Sequence, residues 1–222
     1  MPRKRGRPPK RRPPKYSLGK ACPLAGPLWE MWLKHVLAKG PTWLHVALML
    51  THVLCCRITE ILKLRKRDIN FKRGTVFVGP LKNGPAVTKH VMKPAMAKLR
   101  LLRERGVGKM RTRKKGMWGV VKEMDRWKFP TDMDEFLFPA SRQDCDTPHM
   151  NKNTVCKAIA RIRGSFDPPN VTVQTQTIRS HSGRHRMVND LKRCGVADGT
   201  AMHFARIVDR RTGVLLVLRS FV

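Results

Sequence analysis

Three short stretches of the chain carry side chains suited to handling a phosphate ester. They are Arg57, with Glu60 three residues on, Lys82 in Lys82-Asn-Gly84, and His181 with Arg184 in His181-Ser-Gly-Arg-His185. A guanidinium fork matches a pair of phosphate oxygens, an ammonium group binds them as a point charge, and imidazole exchanges protons near neutral pH. Each residue also has a plainer reading. Arg57 can be a surface arginine paired with Glu60, Lys82 a turn lysine, and His181 the neighbour of a helix N-cap. The six cysteines (22, 55, 56, 145, 156 and 194) show no Cys-x-x-Cys spacing. Cys145 and His149 are close in sequence, but no second ligand pair accompanies them, so no metal and no cofactor is expected.

These residues need a folded frame, and the composition provides for one. In 222 residues, 47 Lys+Arg stand against 15 Asp+Glu, a formal net charge of +32. A folded chain so charged repels itself unless a polyanion is its partner, and nucleic acid supplies the phosphates. A hydrophobic content of 41% suffices for one core. The most apolar run, Trp43 to Cys56, is too short to span a bilayer and contains His45, Thr51 and His52. No apolar stretch follows the basic N-terminus, so no secretory signal is expected.

The periodicity predicts a mainly α chain with a small antiparallel β-sheet, an α+β arrangement. Trp29, Trp32, Leu33 and Val36 recur at helical spacing up to Gly40-Pro41. From Thr42 to about Arg65, apolar residues run nearly all round one buried helix. Between Asp68 and Val91 the strand-like Thr75-Val-Phe-Val78 and Val87–Val91 predict a hairpin or three-stranded sheet with Lys82 at a turn. Lys98–Lys128, with twelve basic and three acidic residues, reads as a helix followed by a glycine-containing basic loop. Later helices are expected over Asn153–Arg163 and Ser182–Cys194, with a last one over Thr200–Ile207.

Residues 1–15 hold eight basic residues and five prolines without an acid, so residues 1–20 are read as a disordered arm. Within it Arg5-Gly6-Arg7-Pro8 has the pattern of an AT-hook. Glycine lets the backbone approach the groove floor, proline holds the chain extended, and the two arginines suit a narrow A·T minor groove. The plainer readings of the same run are a nuclear-localisation signal, compatible with the hook and pointing to the nucleus, and a generic phosphate-binding tail.

In order along the chain, Leu54-Cys-Cys-Arg57-Ile-Thr-Glu60-Ile-Leu-Lys-Leu64 with Asp68-Ile69, Lys82-Asn-Gly84, Leu137-Phe-Pro139, His181-Ser-Gly-Arg184 and Gly195-Val196 resemble the catalytic domain of tyrosine recombinases, the phage-integrase-like enzymes. The resemblance spans about residues 42–207 within a domain read over 24–222. It implies an enzyme of DNA integration and recombination, of mobile-element type, with double-stranded DNA as partner and self-association on it. It also implies roles: Arg57 and Arg184 on the phosphate oxygens, Lys82 protonating the leaving 5′-oxygen, and His181 bonding the phosphate or aiding proton transfer. Glu60 would buttress Arg57. His203 lies near the family's further His/Trp position, and a nucleophilic tyrosine would fall between Thr212 and Leu216.

That stretch reads Thr-Gly-Val-Leu-Leu, and the one tyrosine of the chain is Tyr16. A hydrocarbon cannot replace a nucleophile. The sequence therefore suggests a truncated or decayed recombinase, inactive as it stands, or one whose tyrosine another chain supplies. The rivals are a DNA-binding relic without chemistry and a basic RNA-binding protein. The five site candidates, with Arg5, Gly6, Arg7 and Pro8 for DNA contact, make the expectation specific.

Overall fold

The structure is a computed structural model and describes residues 21, 24–80, 85–114, 120–140, 147–169, 173 and 175–205. The arm with Arg5, Gly6, Arg7 and Pro8, the turn with Lys82, and residues 206–222 lie outside the described residues.

Helix α1 (Leu28–Lys39) buries Trp29, Trp32 and Val36, one stripe at three- and four-residue spacing. It stops where Gly40 returns its N–H to Val36 O. Helix α2 (Thr42–Val53) is the axis of the core: Leu44, Val46, Ala47, Leu48, Leu50, Thr51 and Val53 are all buried. The single long helix expected over Thr42–Arg65 is a correction. The chain breaks after Val53, Cys55 adopts φ +49, and a separate short helix α3 (Ile58–Leu62) follows. Apolar residues all round hid the break, because a buried left-handed residue leaves no mark in hydrophobic periodicity.

Strands β1 (Ile69–Asn70), β2 (Thr75–Val78) and β3 (Val87–His90) form the expected antiparallel sheet in the order β1-β2-β3. Helix α4 (Lys93–Arg105) then leads through Gly106, at φ +64, into a second correction. Where a basic loop is expected, β4 (Val107–Lys114) and β5 (Val120–Trp127) pair as an antiparallel ribbon. The charges that suggested a loop hold the ribbon in place. Lys109 Nζ donates to Leu37 O, Ala38 O and Gly40 O at the end of α1, and its register partner Asp125 accepts from Thr42 N and Oγ1 at the start of α2. Cation at a helix C-terminus and carboxylate at an N-terminus both suit the helix dipole. Trp127 anchors the ribbon base, its indole N–H donating to buried Leu137 O at 3.0 Å.

Helix α5 (Lys152–Arg163) is capped by Asn151, whose side chain accepts from Asn153 N. Helix α6 (Ser182–Arg193) packs on α2, with His52 Nε2 3.5 Å from Asp190 Oδ2. Helix α7 (Asp198–Phe204) begins two residues before the expected start. The described residues are thus mostly helical with two small antiparallel sheets among them. Among the described residues, no helix is long and apolar enough to cross a membrane.

Candidate active site

Arg57 is the N-cap of α3, with extended backbone between α2 and α3. Glu60, at the third helical position, is 4% exposed and reaches back to accept from Arg57 N at 2.6 Å. One of its oxygens lies 3.5 Å from Arg57 Nη1, so the carboxylate fixes the backbone more firmly than the guanidinium. The Arg57 side chain, in this long contact with Glu60, keeps 38% of its surface exposed.

Arg184 projects from the first turn of α6 and is buried at 5% exposure. Its Nη2 donates to Ala205 O at the end of α7. Its Nη1 is buried with no hydrogen-bond partner among the described residues. Burial first, and then the charge of Arg57, lower its pKa. A guanidinium stays protonated in proteins, so the result is a buried cation with a spare donor.

His181 is the N-cap residue of the same helix, its Nδ1 3.3 Å from Ser180 Oγ. Its pKa is pushed down to about 4, by burial first and then by the nearby charges of Lys152, Arg184, His185 and Arg57. At neutral pH it is a neutral imidazole among cations. The structure therefore brings Arg57, His181 and Arg184 together, although up to 127 positions separate them in sequence (184 − 57).

The other two candidates are placed differently. Lys82 is outside the described residues. His203 is exposed on α7, one residue before Phe204 and two before Ala205, whose carbonyls accept from the site's buried cations.

Lys152 and Lys89 escape the sequence reading, and His185, expected on a solvated helix surface, is half-buried instead. Lys152, the first residue of α5, and His185 both act on His181. Lys89 on β3 is 6% exposed and donates to Leu54 O at 3.0 Å and Phe204 O at 2.7 Å. Period-two alternation carries a signal for it, since Val87, Lys89 and Val91 share one face of the strand. Cys55 and Cys56 also line this region. Burial pushes the Cys55 thiol up to about 11 and raises Cys56, so both stay protonated and weakly nucleophilic.

Beneath the cluster, Cys55, Met187 and Ala205 form a small apolar layer with Val188, Leu191 and Phe204 packed on it. Two guanidinium groups, a neutral imidazole and a buried N–H with no partner among the described residues stand together, a set whose charge and donors suit an anion. The described residues hold no group of three or more side chains able to bind a metal.

The chain matches the phage integrase family over residues 32–205, well over half its length. No curated protein matches it. Among solved structures it is similar to the Tn1549 transposon integrase in complex with transposon right-end DNA. The identity there is 12%, the TM-score 0.58, and the match covers 86% of this chain and 60% of that one. It is also similar to the integrase from mycobacterium phage Brujita, at 14% identity and TM-score 0.52, covering 88% of this chain and 51% of that one. A lambda integrase dimer bound to a COC′ core site gives 14%, 0.51, 87% and 59%. The chain thus spans between about half and three fifths of these proteins. At such identities the likeness concerns the fold.

Proposed function

Because the chain belongs to the phage integrase family, we propose that it binds duplex DNA and holds one backbone phosphate between Arg57 and Arg184. The observation that carries this reading is Arg184 itself. It is a buried guanidinium with Nη2 fixed by Ala205 O and Nη1 without a partner among the described residues, beside Arg57 and neutral His181. An unmet buried donor on a cation is costly, and a phosphate oxygen would meet it. A Ser180 hydroxyl donating to Nδ1 leaves the His181 proton on Nε2, which can then donate to the same phosphate. Lys82 and His203 would stand beside that phosphate, as the family resemblance implies. The basic arm would follow an A·T-rich minor groove through Arg5 and Arg7, in a nuclear protein of mobile-element origin that self-associates on DNA.

The chemistry in this reading stops at binding. The 222 residues contain one tyrosine, Tyr16, in the arm, and neither buried thiol near Arg57 is activated. Without a nucleophile no covalent phosphoprotein can conserve the bond energy for rejoining. This favours a domain that keeps the phosphate receptor and lacks the cleavage step. The test is direct. Arg57→Ala and Arg184→Ala should each weaken duplex affinity roughly tenfold to a hundredfold, the value of charge-assisted hydrogen bonds. Incubation with a nicked suicide duplex should leave no DNA–protein adduct after denaturation. Unchanged affinity in both variants would remove the phosphate reading, and an adduct would reveal a working enzyme.

A further inference from the structure

Lys89 lies opposite Val76 on β3, an edge strand of the three-stranded sheet, and its side chain is buried. Its ammonium group meets three carbonyls: Leu54 at 3.0 Å, Cys55 at 3.5 Å and Phe204 at 2.7 Å. It also sits 4.8 Å from the centre of the Phe204 ring. A lysine ammonium has three N–H donors, and all three are committed here. It therefore has no donor left to aim at an anion, and it is not a catalytic residue.

Burying an ammonium is costly, and a methionine of similar length would fill the space without that cost. Its partners indicate what the charge achieves. Leu54 and Cys55 lie at the end of α2, three and two residues before Arg57. Phe204 immediately precedes Ala205, whose carbonyl holds Arg184. One cation thus ties the segment that presents Arg57 to the segment that fixes Arg184, two pieces of chain that share no secondary-structure element. We propose that Lys89 is a positioning residue that sets the spacing of the two arginines. This rests on the phosphate-binding reading above and adds to it the element that enforces the geometry.

The experiment is a double-mutant cycle on the full chain, read by affinity for a mixed-sequence duplex, with melting temperature alongside. Lys89→Met should weaken binding roughly tenfold on the wild-type background, and by less than about twofold once Arg57 and Arg184 are both alanine. Such non-additivity is what a residue acting through the arginines must show. Equal loss on both backgrounds would make Lys89 a general fold determinant and overturn the proposal, as would no loss at all. Where Lys89→Met does not fold, Lys89→Arg enters the same cycle. It keeps the charge and the donors but not the length, so it should lose affinity only while the arginines are present. Should Arg57→Ala and Arg184→Ala leave wild-type affinity unchanged, the phosphate reading itself fails and takes this proposal with it. That result is separate from an additive cycle, which overturns the role of Lys89 alone.

Discussion

Gly183→Ala tests how tightly the frame holds Arg184. Gly183 lies in the first turn of α6, where a Cβ would come 2.5 Å from Thr51 Oγ1 and 2.8 and 3.0 Å from two ring carbons of Trp29. Ordinary contacts of this kind are about 3.5–4.0 Å, so the added methyl overlaps its neighbours by roughly an ångström. Neither neighbour can yield. Thr51 is fully buried and its hydroxyl donates to Leu48 O at 2.6 Å, while Trp29 is 1% exposed. Helix α6 must therefore shift away from α2. Overpacking of this kind costs about 2–3 kcal/mol, which for a chain of this size lowers the melting temperature by about 4–12 °C. Arg184, the next residue, moves with the helix, so duplex affinity should fall together with stability. Removing the hydroxyl relieves the closest contact, so Gly183→Ala with Thr51→Ala should be more stable than the two single losses predict, by about 1 kcal/mol. Thermal denaturation and a binding titration on the four chains decide it. A Gly183→Ala chain melting within a degree of wild type, or a strictly additive pair, would refute the reasoning.

Other outcomes follow from the same geometry. Glu60→Ala leaves Arg57 N without its acceptor in the turn between α2 and α3 and should cost about 1–3 kcal/mol in urea denaturation, with weaker duplex binding; unchanged unfolding would show that the short contact to Arg57 N carries no weight. His181 has a folded-state pKa of about 4 against 6.5 for a free imidazole, so the unfolded chain takes up the proton first and this contribution to stability, complete above pH 6.5, is lost as pH falls toward 4. Screening by solvent at this half-exposed group reduces the loss between pH 7 and pH 5 to about 1 kcal/mol, and a His181→Gln chain should show a pH dependence flatter by that amount; parallel curves would mean that His181 is not held neutral. Deleting residues 1–15 should weaken binding to A·T-rich duplexes more than to G·C-rich ones and flatten the salt dependence, whereas equal losses would reduce the arm to a nonspecific tail.

The parts of the fold legible in the sequence are those where pattern and burial coincide. The Trp29/Trp32/Val36 stripe, the strand pair at Thr75 and Val87, and the helix closed at Gly164 follow from spacing alone. What escaped depends on charges used as structural parts. Lys109 and Asp125 look like solvated loop residues until the ribbon places them against opposite helix ends, and Lys89 looks like an ordinary strand lysine until three carbonyls surround it. The break at Cys55 is of another kind. Nothing in Leu54-Cys-Cys-Arg57 announces a left-handed residue, yet that residue turns the chain so that Arg57 leaves the core. The convergence of Arg57 with His181 and Arg184 came from motif order. Periodicity by itself cannot bring residues so far apart in sequence to one place.

The way the cluster balances its charge bears on what it can bind. Arg57, Arg184 and Lys152 all act on His181, Lys89 lies close to the same segment, and Glu60, which accepts from Arg57 N, is a carboxylate that acts on both arginines. Four cations so close would repel one another strongly in a low-dielectric interior. The two that are buried are compensated by main-chain oxygens instead: Leu54 and Cys55 at the end of α2, and Phe204 and Ala205 at the end of α7. Helix C-termini carry partial negative charge and unsatisfied carbonyls, so they can hold a cation in place without cancelling its charge. A carboxylate paired with Arg184 would do the opposite. It would occupy the fork that leaves Nη1 open and would repel any incoming phosphate. Compensation by a carbonyl thus holds Arg184 in place without cancelling its charge, and under the proposed function a phosphate would reach Nη1 without displacing a carboxylate.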